Sequence, residues 1–342
     1  MRKETFVFSQ KKVEYLFDAS FGEIENHFAK EKMIIITDEN IYHHHAAKFN
    51  GYKIIKIAAG EANKNQQTID ISINQLLHLQ ADKQTCIVGV GGGVVTDVVG
   101  YVASIYKRGV KLALVPTSIL AMVDAAIGGK NGVDVGFYKN MIGTVYQPEV
   151  ILWDYNFLSS LPEAEWINGF AEIIKHACIK DEALFSFLAA NKIAFFKTDR
   201  SAVARLIEKN VFIKTTVVLS DEFETGERKV LNFGHTIGHA IENIYNLSHG
   251  HAVSAGMVAA CTISENINNF YSEEKARVIK LLLQYHLPVK MEIDPDKIWD
   301  VLLLDKKREA GSMPFILLNK IGEAKIISIP LVQLKSLISE CL

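Results

Sequence analysis

Residues 228–251 read RKVLNFGHTIGHAIENIYNLSHGH, four histidines with an arginine and an asparagine in an otherwise aliphatic setting. His235 and His239 stand four apart amid Leu231, Ile237, Ile241 and Ile244. A helix would stack their imidazoles on one face, a common way to present nitrogen ligands to a divalent metal. His249 and His251 follow a short turn and can return to the same place. A lone histidine is more often a polar-tipped ring in a core; four in so short a window point to metal chemistry.

Other charged residues lie in apolar patterns. Glu172, Lys175 and His176 adjoin a face made of Trp166, Phe170, Ile173 and Ala177. A carboxylate and an ammonium one turn apart are either a surface pair worth about 0.3 kcal/mol or a metal ligand with an accompanying cation. After Arg200, the residues Val203, Ile207, Val211, Lys214 and Val218 form one stripe, which places Lys214 toward a core. An unpaired lysine there is costly, so an anion is expected beside it unless the side chain snorkels to solvent. In the first half, residues 85–90 run into Gly91-Gly92-Gly93 and an apolar helix carrying Asp97. Backbone N–H groups at such a helix start suit a pyrophosphate; the run is not GxGxxG, and glycines also serve tight turns. Thr117-Ser118, Asp124 and Gly128-Gly129-Lys130 follow at the ends of later strands, the edge where ligands of open α/β sheets gather.

The elements that would position these groups differ between the two halves. Apolar runs at 33–37, 52–57, 85–90, 111–116 and 150–154 alternate with helical stretches, the pattern of a parallel sheet covered on both faces. After Ser160 helical periods take over, and Ser160-Leu161-Pro162-Glu163 has the form of a capping box that opens a helix. The reading is therefore a Rossmann-like α/β domain over 1–158 and a mainly α-helical domain over 159–342, closed by a weak strand pair at 315–318 and 325–329.

With 342 residues and 49% hydrophobic content the chain can build two such cores. A net charge of -2 argues against nucleic acid as a partner. Cys86, Cys178, Cys261 and Cys341 are dispersed without CxxC spacing, which indicates neither disulfides nor a thiolate zinc site and suits a reducing cytoplasm. No apolar run has signal-peptide or membrane-span character. His43, His44 and His45 are expected at the surface.

In order, GGGVVTD, RGV, PTSILAMVDAAIGGK, YKNMIGTVYQP, GFAEIIKH, LNFGHTIGHAIE, SHGHAV and DKKREAG resemble the 3-dehydroquinate synthase family over roughly 38–322. The resemblance implies an NAD domain, a helical metal domain and a homodimer. It implies NAD held by Asp38, Glu61, Lys64, Gly92, Gly93, Asp97, Thr117 and Ser118, with Lys130 and Lys139 close by. It also implies Zn2+ or Co2+ on Glu172, His235 and His249, which turns His239 from a ligand into a substrate-binding residue. The family usually has glutamate where this chain has His251, which leaves open whether His249 or His251 is the third ligand.

Residues alone would equally suit an NAD-linked, metal-assisted polyol dehydrogenase of the glycerol-dehydrogenase kind. Charge separates the two, because Lys130, Asn140, Lys175, Lys214, Arg228, Asn232 and the Asp305-Lys306-Lys307 cluster suit a substrate with both a carboxylate and a phosphate. The family pattern implies that Lys214 and Arg228 meet the carboxylate. It assigns the phosphate to Asn140, Asn232, His239, Lys306 or Lys307, and Arg108 of a partner subunit. The implied reaction converts 3-deoxy-D-arabino-heptulosonate 7-phosphate to 3-dehydroquinate and phosphate, a shikimate-pathway step. Oxidation at C5 by NAD, phosphate elimination, reduction, ring opening and an aldol closure follow in turn, with no net redox, so the class is lyase. Asp124, Lys130, Lys175, His235 and His239 are the groups implied around its proton movements.

Overall fold

Runs such as Met-Ile-Ile-Ile-Thr become strands because their β-branched side chains suit a pleated surface buried on both faces. The computed structural model describes residues 1–9, 11–136, 138–303 and 311–342. Its strands are β1 (Arg2–Val7), β2 (Lys12–Phe17), β3 (Met33–Asp38), β4 (Lys53–Ile57), β5 (Cys86–Gly91), β6 (Lys111–Pro116), β7 (Lys130–Val135), β8 (Tyr138–Val145), β9 (Val150–Trp153), β10 (Ser312–Lys320) and β11 (Glu323–Pro330). The helices are α1 (Glu39–His45), α2 (Gln66–His78), α3 (Gly93–Ile105), α4 (Glu163–Lys180), α5 (Glu182–Ala189), α6 (Ile193–Thr198), α7 (Arg200–Ser220), α8 (His235–Tyr245), α9 (His249–Asn268), α10 (Ser272–Gln284), α11 (Pro295–Leu303) and α12 (Leu331–Cys341).

Among the described residues, seven strands form one sheet in the order β1-β2-β9-β6-β5-β3-β4. Pairing is parallel except at the β1–β2 edge. Strand β3 has β4 on one side and β5 on the other, so the chain reverses its progress across the sheet there. Ligands of open α/β sheets settle outside the strand ends at such a point, and here those ends are Asp38 and Gly91. One face of the sheet is sealed by Ile35, Val88, Val90, Val115, Leu152 and Phe157, all buried in one apolar cluster.

The chain divides into two compact units, residues 1–165 with 203–222, and residues 166–202 with 223–342. Most of α7 thus groups with the sheet, although a linear cut at 159 assigns it to the helical half. The reason is its apolar stripe: Val203, Ile207, Val211 and Val218 are buried, and Phe212 lies 5.8 Å from Phe17, ring to ring. In the second unit α4 is buried from Phe170 to Ile179, and Phe170 stacks on Tyr285 at 4.6 Å. The strand pair expected near 315–329 is the antiparallel β10–β11 ribbon.

Three local expectations change. The Ser160 hydroxyl caps no helix: it donates to the Phe157 carbonyl and meets His45 Nε2 at 2.7 Å, while α4 begins at Glu163. That bond also makes His45 half-buried, whereas His43 and His44 are exposed. Leu231 lies in a 3-10 turn, and α8 starts only at His235, because Gly234 at φ 77° breaks the helical path between them. No described helix is long and apolar enough to cross a membrane.

The β7–β8 hairpin, which carries Lys130, Lys139 and Asn140, is anchored through Asn131. Its amide donates to the Gly129 and Tyr146 carbonyls at 2.6 and 3.0 Å. A Cβ on Gly100 of α3 would lie 1.8 Å from Asn131 Oδ1. Gly100→Ala should therefore destabilise the protein by about 1–3 kcal/mol, read by urea unfolding.

Candidate active site

In the helical unit the side chains converge on one carboxylate. Glu172 is fully buried on α4, and Lys175, one turn on and 2% exposed, pairs with its Oε2. Its Oε1 lies 3.3 Å from His235 Nε2 and 3.0 Å from His249 Nε2. These histidines are the first residues of α8 and α9, whose backbones touch at glycines. A Cβ on Gly256 would lie 1.9 Å from the Gly234 carbonyl oxygen, and one on Gly238 3.0 Å from that of Ala252. Asn168, one turn before Glu172, accepts the Gly250 N–H at 2.5 Å and so ties the start of α9 to α4.

The His235 ring has its Nδ1 3.1 Å from the Phe233 carbonyl, which can only accept. Nδ1 therefore carries a proton, and in the neutral ring the Nε2 lone pair faces the Glu172 oxygen. Two acceptors facing each other at that distance need a proton or a metal ion between them. Ligand atoms of Glu172, His235 and His249 all lie within 4.8 Å of one another, and one carboxylate with two imidazoles fits a divalent cation. Burial opposes ionisation of Glu172, but the charges of Lys175 and His235 and hydrogen bonds from both histidines hold its carboxyl well below the usual range. Burial lowers His235. Burial also pulls His249 down, but hydrogen bonds to Glu172 and Glu242 outweigh it and push the ring up to about 10.

His239 follows one turn after His235, half-buried, with ring centroids 5.1 Å apart. His251 is half-buried on α9 and joins no candidate metal group among the described residues. Arg228 is 2% exposed, and Asn232 donates to Glu224 at 2.8 Å. Lys306 and Lys307 lie outside the described residues.

The sheet unit brings a second set together. Gly92 is the residue before α3, and a Cβ there would meet only the Ser118 side chain, its Oγ at 3.5 Å, which leaves the helix start open. Gly93 begins the helix, and the Thr117 N–H donates to the Gly91 carbonyl at 2.9 Å. Asp38 accepts the Ile41 N–H at 2.9 Å and caps α1. Lys64, buried, reaches Asp97 at 2.5 Å and Asn140 Oδ1 at 2.6 Å. Lys139 pairs with Glu61 at 2.7 Å, while Lys130 is exposed at the start of β7. Lys214 is buried, and its expected anion belongs to the chain itself: Asp124 Oδ1 lies 2.9 Å away, and the Asp124 carbonyl accepts at 2.8 Å. Arg108 is exposed in a turn at φ 60°.

Sequence reasoning did not single out Asp134, Asn168 or Glu242. Asp134 accepts the Asn140 N–H at 2.7 Å, and Glu242 Oε2 lies 3.4 Å from His249 Nδ1. A signal existed for Glu242, which stands seven residues after His235 and so on the same helix face. Asn168 carries no such signal, because its partner is a backbone amide 82 residues away.

Replacing Lys175 by Met leaves the Glu172 charge buried without its ammonium. Loss of one partner of a buried pair costs about 3–5 kcal/mol, so Lys175→Met should lower unfolding free energy on that scale in chelator-treated protein.

The family model described as 3-dehydroquinate synthase N-terminal matches residues 54–168, and that described as 3-dehydroquinate synthase C-terminal matches 169–308. A 3-dehydroquinate synthase of Sulfurisphaera tokodaii is 42% identical over 84% of each chain. One of Clostridium beijerinckii is 38% identical over 88% of this chain and 89% of its own. A crystal structure of 2-deoxy-scyllo-inosose synthase with carbaglucose-6-phosphate, NAD+ and Co2+ superposes at a TM-score of 0.84 with 25% identity, covering all of both chains. With both halves matched in order and relatives this similar over more than four-fifths of their length, the chain belongs to the 3-dehydroquinate synthase family.

Proposed function

We propose that this protein is a 3-dehydroquinate synthase, converting 3-deoxy-D-arabino-heptulosonate 7-phosphate to 3-dehydroquinate and phosphate with NAD and a divalent cation. The observation that carries the reading is the convergence of Glu172, His235 and His249 beside the buried Lys175, in a chain of this family. Those three side chains would hold the cation, Zn2+ or Co2+. NAD would lie at the α3 start and the β3 and β5 ends, against Asp38, Glu61, Lys64, Gly92, Gly93, Asp97, Thr117, Ser118, Lys130 and Lys139. When bound, NAD supplies a reversible hydride acceptor and the cation a Lewis acid for substrate oxygens.

The chain's own groups supply the rest. Lys175 keeps Glu172 ionised and offers its ammonium to an oxygen of the substrate. His239 holds or delivers a proton, because an imidazole can both accept and donate one. Lys214 and Arg228 receive the carboxylate, Arg228 through the planar fork that matches two oxygens. Asp124 holds Lys214 in place and, with Lys130, stands among the groups that move protons. Asn140, Asn232, His239 and one of Lys306 and Lys307 bind the phosphate.

A homodimer completes the reading, with Arg108 of each subunit serving the phosphate of the other. Exposed apolar residues on the β7–β8 hairpin, among them Val135, Met141, Ile142 and Val145, support an association surface. The dispersed, unpaired cysteines support a cytoplasmic setting.

The test is incubation of metal-loaded protein with the heptulosonate phosphate and catalytic NAD, following inorganic phosphate and NADH absorbance together. The expected result is phosphate release in large excess over NAD with no lasting NADH. Retained phosphate, with NADH rising on glycerol or a related polyol, would replace this reading with a dehydrogenase.

A further inference from the structure

Glu242 is 8% exposed on α8, on the helix face that carries His235 and His239. Its Oε2 lies 3.4 Å from His249 Nδ1, while the opposite nitrogen of that ring lies 3.0 Å from Glu172 Oε1. Both nitrogens of His249 are thus committed, one to the Glu172 group and one to a carboxylate outside it. A buried carboxylate is costly to desolvate and is retained where its charge has a partner.

We infer that Glu242 is a positioning residue for the cation site. By accepting Nδ1–H it fixes the tautomer and the ring plane of His249, so that the Nε2 lone pair faces Glu172 and His235. The inference rests on the reading that these three residues hold a divalent cation. A ligating imidazole that donates its other N–H to a carboxylate is a better-oriented and more basic donor, and loss of such a partner typically weakens metal binding about 10–100-fold. The backbone of His249 does not depend on Glu242. Asn168 fixes the neighbouring Gly250 amide, and a Cβ on Gly250 would lie 2.6 Å from the Asn168 carbonyl oxygen. What Glu242 controls is therefore the rotation of the ring. The rival use is direct ligation, since donor atoms of His239, Glu242 and His249 also lie within 4.8 Å of one another.

The test is titration of chelator-stripped, full-length protein with Co2+, followed by calorimetry and by the visible absorption of bound cobalt. Glu242→Ala, Glu242→Gln and Glu172→Gln are titrated alongside. Expected are one cobalt per chain in the parent and a Kd raised about 10–100-fold in Glu242→Ala, with a changed visible band. Glu242→Gln, whose amide oxygen still accepts from Nδ1–H, should regain most of the affinity, and Glu242→Leu, similar in size but unable to accept, stands in for the alanine variant if that one does not fold. Parent-like Kd and spectrum in Glu242→Ala or Glu242→Leu, with Glu172→Gln still weakened, would overturn the inference and leave the cation site standing. Two cobalts in the parent falling to one in Glu242→Ala would make Glu242 a ligand and overturn it as well. Parent protein that binds no cobalt, or Glu172→Gln that binds as tightly as the parent, would overturn the cation reading and this inference together.

Discussion

A carboxylate with no access to water must be surrounded by positive charge and N–H donors, and in the helical unit that requirement falls on Glu172. Its two oxygens are divided between Lys175 on its own helix and the histidines that begin α8 and α9. Such a pair contributes little to net stability compared with an apolar core of the same volume. What it specifies is arrangement, because three helices must meet with side chains aimed at one point. The tether from Asn168 to Gly250, the turn at Gly234 and the Phe233 carbonyl facing His235 all serve that single demand.

The sheet unit handles charge differently. Its cations are held by acidic partners from distant parts of the chain: Lys64 by Asp97, Lys139 by Glu61, Lys214 by Asp124. Each such lysine is oriented by its partner, and the open start of α3 adds N–H donors without adding net charge. The chain's overall charge of -2 thus coexists with lysines gathered in the sheet unit, each beside a carboxylate of its own.

Much of this was legible in the residues. Strands β3, β5, β6 and β9 announce themselves as continuous apolar runs because both their faces are buried. The β7–β8 hairpin does not, since Tyr138, Met141, Ile142 and Val145 are exposed and Gly132 and Gly143 interrupt the pattern. The membership of α7 in the sheet unit was also invisible, because an amphipathic stripe shows that a helix packs and not what it packs against. At the site, the histidine window and the buried charges were plain from spacing. Lys214 was read correctly as costly, but its partner Asp124 lies 90 residues away and only the fold identifies it. Asn168 gives no signal for the same reason, whereas Glu242 gives one, standing two turns after His235 on the same face of α8.

The glycines between α8 and α9 have a consequence for how this protein can vary. The spacing of His235 and His249 is set by backbone against backbone, with the place of a Gly256 side chain already taken by the Gly234 carbonyl. Substitution at these glycines is opposed by sterics, whereas the ring planes of the two histidines are left to side-chain neighbours such as Glu242. Glu172, likewise, is aimed by side-chain neighbours on and around α4. Variation here is therefore channelled to side chains on α4 and to those that orient the rings, while the two helix starts keep their separation.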